Sequence, residues 1–258
     1  MVVQTIQQLI ASGEKPEYLF WVGCAGNFDA RAQKVVRAFA LIMNQIGVSF
    51  AVLGNEESCT GDPARRAGNE FLFQMQALQN IQTLQAYEVT RIITTCPHCF
   101  NTLKNEYPDY GGNFEVYHHT EMLNQWIQEG KLKIESGETG SKTTYHDSCY
   151  LGRVNGIYSV PREILSALQL DVIEMEQSAS RGLCCGAGGG QMFKEDEPGD
   201  QRINVARAEQ VLATGAKTVA ANCPFCITML QDGLKAKDKQ DEVMVLDLAE
   251  LIVQKNNW

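Results

Sequence analysis

The sequence predicts an α/β fold built twice: two pseudo-repeated α/β domains with parallel-type sheets, residues 1–137 and 138–258. Three observations predict it. β-prone runs alternate with helix-forming runs along the chain, the pattern of strands joined by crossover helices. The nine cysteines follow one frame used twice: Cys24 and Cys59 are as far apart as Cys149 and Cys184, and each half closes on Cys-Pro-x-Cys, at Cys96–Cys99 and Cys223–Cys226. The segments around those cysteines also match in order and character.

In the first half "YLFWVGCAG" runs a β-prone stretch into Cys24. A helix follows, with Ala32, Val35, Val36, Phe39, Ile42 and Met43 at helical spacing and Gly47 marking its end. "RIITTCPHCFNTL" then places β-prone residues before a cysteine pair and helix formers after it, and "FEVYHHTEMLNQWI" reads as strand, turn, helix. The polar, glycine-bearing "ESGETGSK", Glu135 to Lys142, is the expected linker. In the second half "KTTYHDSCYLG", "KTVAANCPFCITML" and "DEVMVLDLAELIV" repeat the three patterns, and Asp247 with Glu250 forms a predicted capping box.

At 258 residues with 44% apolar and 21% charged side chains, the chain can bury a core without disulfide staples. A net charge of −9 argues against a nucleic-acid partner. The "PARR" at Pro63 to Arg66 reads as a solvated helix start. No basic leader opens the sequence and no run approaches the ~20 apolar residues of a membrane helix. The protein is therefore expected in the cytoplasm, reaching a membrane only peripherally through a partner. Thiols stay reduced in that compartment, so nine cysteines favour metal or redox chemistry over structural disulfides.

Cys-Pro-His-Cys looks like the tetrapeptide of a thiol oxidase, but that reading explains Cys96 and Cys99 and leaves seven cysteines without a role. Cysteines where strands give way to helices serve better as ligands. Ligands of open α/β sheets gather at the carboxyl ends of strands, and helix N-termini favour thiolate over thiol. Thiolates from distant segments meeting there make a site for a soft metal or an iron–sulfur cluster. The second half offers five: Cys149, Cys184, Cys185, Cys223 and Cys226, one more than tetrahedral zinc or an ordinary cubane needs. The glycines of "GAGGG", Gly186 to Gly190, would let backbone wrap an inorganic core and point N–H groups at its sulfides. A phosphate loop is the rival for that run, but no Gly-Lys-Ser/Thr follows.

"HDSCYLGRVNGIYSVPREIL", "LCCGAGGGQM" and "NCPFC" resemble the cysteine-rich CCG domain family, which includes a heterodisulfide reductase component and the C-terminal part of membrane-associated Fe–S oxidoreductases. The resemblance covers nearly the whole chain. It implies a non-cubane [4Fe–4S] cluster on Cys149, Cys184, Cys185, Cys223 and Cys226, and electron transfer between flavoproteins and menaquinone. The first half departs from that pattern. Its "CTGDP" has Thr60 where the second half has a second cysteine, leaving Cys24, Cys59, Cys96 and Cys99. Four thiols suit zinc, a cubane or a simpler cluster, and Thr60 or Asp62 is expected to form a turn rather than add an oxygen ligand.

Other candidates are weaker. His146, with Asp147, could relay protons, against a histidine satisfied by backbone at a strand end. His118 and His119 are expected on opposite faces of a strand, so that one at most points at the site. His98 is expected to face solvent or to support a ligand, and Arg153 and Arg181 either offset cluster charge or lie at the surface. The expected function is that of an Fe–S oxidoreductase, one component of a larger complex, relaying electrons between a flavoprotein or ferredoxin-like partner and a quinone- or thiol-linked acceptor. The alternative is heterodisulfide reductase-like, direct reduction of a disulfide at the non-cubane cluster; a purely structural zinc protein leaves the Cys-Cys pair unexplained. Without a dinucleotide fingerprint, a close-spaced ferredoxin motif or a membrane span, the chain is expected to need a ferredoxin-like, flavoprotein or membrane Fe–S protein as partner.

Overall fold

The computed structural model describes residues 3–135, 142–195 and 198–258. Two units are present, Met1–Gln125 and Trp126–Trp258. The interior of the predicted linker, residues 136–141, lies outside the described residues.

The first unit follows the predicted alternation. A short helix, α1 (Ile6–Ala11), is closed by a capping box from Thr5 and Gln8. Strand β1 (Tyr18–Trp21) leads into α2 (Gly23–Phe28) and α3 (Ala30–Gln45). The apolar stripe of α3 is buried at Ala32, Val35, Phe39, Ile42 and Met43, and Asp29 caps its start by accepting the Ala32 N–H at 2.7 Å. After β2 (Phe50–Ala51) come α4 (Asp62–Arg66) and α5 (Glu70–Ala86). Strand β3 (Arg91–Thr94) runs into α6 (Pro97–Asn101), which loosens into a π-type turn over Thr102–Glu106. Strand β4 (Glu115–His118) and α7 (His119–Gln128) complete the strand–helix pair. All four strands are parallel in the order β2-β1-β3-β4, with Phe20 opposite Ile93 and Ile93 opposite Tyr117. Phe20 and Phe39 meet edge to face at 5.3 Å in the core beneath the sheet.

The second unit repeats this plan more sparingly. Its elements are β5 (Thr143–Tyr145), α8 (Ser159–Ala167), α9 (Ile203–Ala213), β6 (Thr218–Ala221), α10 (Pro224–Lys235), β7 (Met244–Asp247) and α11 (Leu248–Lys255). The order β5-β6-β7 reproduces β1-β3-β4, and the place of β2 is reduced to one bridge between Thr143 and Val172. Asp247 and Glu250 form the expected capping box at the start of α11.

Two expectations are corrected. Arg65 and Arg66 are not a solvated helix start: both reach the half-buried Glu106, and Arg66 also pairs with Asp62 at 3.0 Å. His118 and His119 do not sit on opposite faces, because the strand ends at His118 and helix α7 begins at His119. Strand alternation lapses there, and the two buried rings meet edge to face at 4.5 Å.

Helices α9 and α10 approach closely because residue 233 is glycine. A Cβ on Gly233 would stand 2.4 Å from the Asn204 carbonyl oxygen and 3.0 Å from Ala208 Cβ. The neighbour is backbone and cannot swing away. Gly233→Ala gains up to ~1 kcal/mol of helix propensity, yet overpacking of this kind costs about 1–3 kcal/mol. A net loss of stability is expected, read as a lower denaturation midpoint at unchanged slope.

Candidate metal centre

In both units cysteines follow the carboxyl ends of parallel strands, as expected for ligands of an open α/β sheet, while Cys59, Cys184 and Cys185 come from loops. Cys24 lies in α2 just after β1, and Cys96 and Cys223 are the N-cap residues of α6 and α10, each followed by proline in the first turn. Proline suits that position because its missing N–H would have had no intrahelical partner. Cys149 departs from the pattern: it follows β5 in a run of turns rather than opening a helix. All nine cysteines are free thiols.

In the first unit the Cys24 and Cys59 thiols share a hydrogen bond, as do those of Cys96 and Cys99. The Gly61 N–H donates to Cys59 Sγ at 3.5 Å, and Thr60 Oγ1 lies 3.9 Å from Cys99 Sγ. Hydrogen bonds from Cys24 and Gly61 hold the Cys59 thiol down to about 7, while the Cys24 thiol, donating to Cys59 and buried, is pushed up. Backbone and side chains fix this loop. Asn80 Nδ2 donates to the Cys59 carbonyl oxygen and to Tyr107 Oη, both at 2.9 Å, and the Tyr107 hydroxyl donates to the Thr60 carbonyl oxygen at 3.1 Å.

The second unit repeats the arrangement with one thiol more. Cys184 shares hydrogen bonds with Cys149 and Cys185, and Cys226 with Cys223 and Cys185. Cys185 Sγ and Cys226 Sγ are 3.2 Å apart, well beyond a disulfide bond of about 2.05 Å. The Gly186 N–H donates to Cys184 Sγ at 3.3 Å, the counterpart of the Gly61 contact. Both glycines are left-handed, at φ +88° and +90°, which other residues adopt at a cost. Hydrogen bonds from Cys149 and Cys185 hold the Cys184 thiol far below its ordinary value, and the buried Cys226 is pushed up. Each unit thus favours the ionised form of the thiol at the same repeat position. Ala187, Met229 and Phe225 pack apolar surface around this set. A cavity of about 740 Å³ lies beside it, lined by Gly186, Met192, Ile203, Asn204, Thr228 and Asp232.

The supporting residues fall out differently from the sequence reading. His98 is buried, and its Nδ1 meets Asp62 Oδ2 at 2.9 Å, so it does not face solvent. Asp62 opens α4 and pairs with His98 and Arg66; these contacts outweigh burial and hold its carboxyl below its ordinary value. Asp147 accepts both Arg162 nitrogens at 2.8 and 3.0 Å and the Ala179 N–H at 2.7 Å, which makes it a loop clamp. Arg153 and Arg181 are exposed, although Arg153 donates to the Gly182 carbonyl at 2.6 Å. Of the "GAGGG" run, only Gly186 has an N–H that reaches a cysteine sulfur among the described residues; Gly188 to Gly190 form a short turn at the surface.

His146 groups with Cys185 and Cys226, their ligand-type atoms all within 4.8 Å. Burial, then the nearby Arg207 charge, lower its imidazole to about 3, so the ring is neutral.

Two groups escaped the sequence reading, one half-buried and one fully buried. Glu57 accepts the Val22 and Gly23 N–H groups at 2.9 and 2.5 Å, tying the Cys24 loop to the Cys59 loop, and burial lifts its carboxyl to about 7. No pattern marks it. Arg207 is fully buried in α9, and it was legible: it falls on the helix's core face with Asn204, Ala208 and Val211.

The donor set is all sulfur, partly ionised and partly buried, which fits an iron–sulfur cluster better than hard cations. A doubled, parallel α/β chain with thiols at strand ends defines a class of cysteine-rich metalloproteins. The chain belongs to the CCG cysteine-rich domain family, whose model matches residues 18–104 and 143–231.

It is similar to the "Probable iron-sulfur-binding oxidoreductase FadF" of Bacillus subtilis, 49% identical over 253 residues, covering 98% of this chain and 36% of that protein. It is also similar to the EtfAB:quinone oxidoreductase of Syntrophomonas wolfei, 47% identical over 257 residues, covering 97% and 36%. A component of the dihydromethanophenazine:CoB--CoM heterodisulfide reductase of Methanosarcina barkeri is 32% identical over 250 residues, covering 93% and 59%. The chain spans little more than a third of the two bacterial relatives. A hypothetical protein from Helicobacter pylori shares the fold, with TM-score 0.59 at 10% identity over 93% of this chain and 49% of that one. No helix among the described residues is long and apolar enough to cross a membrane.

Stripped of metal by a chelator under reducing conditions, the protein should show its two thiolates chemically. A short iodoacetamide pulse is expected to label the half-exposed Cys59 and Cys184 before the buried Cys96, Cys99, Cys223 and Cys226. Labelling of Cys59 should rise as pH passes about 7, whereas that of Cys184 should change little over the same range. Peptide mass spectrometry checks both.

Proposed function

We propose that the chain is the cysteine-rich part of an Fe–S oxidoreductase, passing electrons singly between a flavoprotein or ferredoxin-like donor and a quinone- or thiol-linked acceptor. The observation that carries this reading is the five-thiol set of the second unit: Cys149, Cys184 and Cys185 adjoin one another, and Cys185 links through Cys226 to Cys223. A fifth thiol is superfluous for zinc and for an ordinary cubane, which supports a non-cubane [4Fe–4S] cluster held by these five. Bound there, such a cluster supplies one-electron redox chemistry. The chain's own part is to present thiolates, to donate the Gly186 N–H to Cys184 sulfur, and to keep water away with Met229 and Phe225.

The first unit plays a different part. Thr60 replaces the fifth thiol, and Cys24, Cys59, Cys96 and Cys99 would hold a four-ligand cluster or zinc. The names of the bacterial relatives support the electron-transfer reading and a partner bearing flavin, quinone contact or further Fe–S centres. A second reading is favoured by the cavity of about 740 Å³ beside Gly186, large enough for a small disulfide next to the cluster. Breaking its S–S bond takes two electrons and two protons, so two single-electron deliveries precede release of both thiols.

The anaerobically purified protein should contain iron and sulfide, with two spectroscopically distinct metal centres or one cluster plus zinc. Cys185→Ser should abolish or convert one signal while the first site keeps its metal. Unchanged iron content and an unchanged spectrum in that variant would remove the assignment. Turnover of a disulfide by the isolated protein with a chemical one-electron donor separates the second reading from the first.

A further inference from the structure

Arg207 is an unusual residue for a protein core. Its side chain is fully buried, yet among the described residues it makes no hydrogen bond or ion pair to a carboxylate. Nη1 donates to the Gln177 carbonyl at 2.8 Å and to Gln210 Oε1 at 2.6 Å, Nη2 has no acceptor among the described residues, and Nε donates to His146 Nδ1 at 3.0 Å. A guanidinium keeps its protons and has nothing with which to accept. His146 Nδ1 must therefore carry the lone pair, and the single ring proton sits on Nε2. That Nε2–H is itself buried and without an acceptor among the described residues. The ring belongs to the group formed with Cys185 and Cys226 sulfur.

A protonated Nε2 cannot bind a metal, so the neutral imidazole is turned from a potential ligand into a donor. The buried positive charge behind it makes no direct ion pair with a carboxylate among the described residues, and a buried cation is retained only against matching negative charge. Asp147 supplies part of that charge from beyond hydrogen-bond reach, and the Cys226 and Cys185 sulfurs supply more. Resting on the iron–sulfur reading given above, we infer that Arg207 is a positioning residue for the second-unit cluster: it fixes His146 as an Nε2–H donor toward the cluster's sulfur atoms, and its own charge offsets theirs.

The repeat supports the inference from the other unit. Trp21 stands three residues before Cys24, as His146 stands three before Cys149, and the buried Trp21 Nε1–H is likewise without an acceptor among the described residues. An indole can only donate and needs no arginine to fix its tautomer. The imidazole does.

A donor and a positive charge beside an anionic cluster stabilise its reduced, more negative form, so both raise the reduction potential. The test is redox titration of the anaerobically purified, iron-loaded full chain, followed by paramagnetic resonance of the reduced second-unit cluster in H₂O and D₂O. H146F and R207M should lower the midpoint potential at unchanged iron and sulfide content, and H146F should lose an exchangeable-proton coupling seen in the wild type. H146Q places an amide N–H near the Nε2 position and should retain most of the wild-type potential; R207K should lie between R207M and wild type. If R207M fails to load iron, the comparison of H146F with H146Q decides. Variants with full iron, wild-type potential and an intact proton coupling would overturn the inference, as would nitrogen coupling from labelled histidine at the strength of an iron-bound imidazole. A wild-type chain that takes up no iron would instead overturn the reading beneath it.

Discussion

Like charges must be gathered where water cannot screen them: that constraint shapes both units. Two thiolates 4 Å apart repel by about 4 kcal/mol at an effective dielectric constant near 20, and either unit has at least four sulfurs to assemble. The fold meets this by favouring ionisation of one sulfur at the same place in each unit. Cys59 and Cys184 are the thiols that ionise most readily, each favoured by a neighbouring thiol and by the N–H of a left-handed glycine. Cys24, Cys99, Cys149, Cys185 and Cys226 are held above their ordinary value, as thiols sharing protons with their neighbours. Entry of a metal displaces those protons, so loading is coupled to proton release.

The repeat is a device for making two related sites and then letting them diverge. The glycine after the Cys-Cys or Cys-Thr pair, the proline after the N-cap cysteine and the strand-end placement are common to both. What surrounds them is not. The first unit fixes its Cys59 loop with Asn80, Tyr107 and the Glu57 clamp, and backs it with an ion-pair chain running from His98 through Asp62 and Arg66 to Glu106. The second replaces that polar framework with the Asp147–Arg162–Glu174 cluster on one side and the Arg207–His146 pair on the other. A five-thiol set backed by the buried Arg207 and a four-thiol set backed by the His98–Asp62–Arg66 chain provide different electrostatic surroundings for whatever each holds.

Much of this was legible in the sequence, and the reason is the spacing of one residue type. Cysteine placement gave the repeat and the strand ends, β-prone runs gave the strands, and the period-3.6 pattern gave α3 without any structure. Failures came where tertiary contacts decide. The "PARR" arginines look solvated because Glu106, their partner, is distant in sequence. His118 and His119 look like alternating strand residues because nothing local announces that the helix starts between them. Glu57 carries no motif, since its role is to accept two backbone N–H groups from another loop. Arg207 is the instructive miss: a charged residue in register with a helix's apolar stripe is visible in the sequence and asks for a buried counter-charge.

The cysteines of either unit come from nearly its whole length, from Cys24 to Cys99 and from Cys149 to Cys226. Short-range metal motifs can drive the folding of a small domain because little loop entropy stands between their ligands. Here the entropy of closing such long loops must be met before four or five sulfurs can share a centre. The packed sheets, with Phe20, Phe39 and Ile93 in one unit and Val219, Ile227 and Leu248 in the other, bury the apolar surface that offsets it. In such a chain it is the folding of the sheets that brings the sulfurs together, and not the metal that gathers the chain.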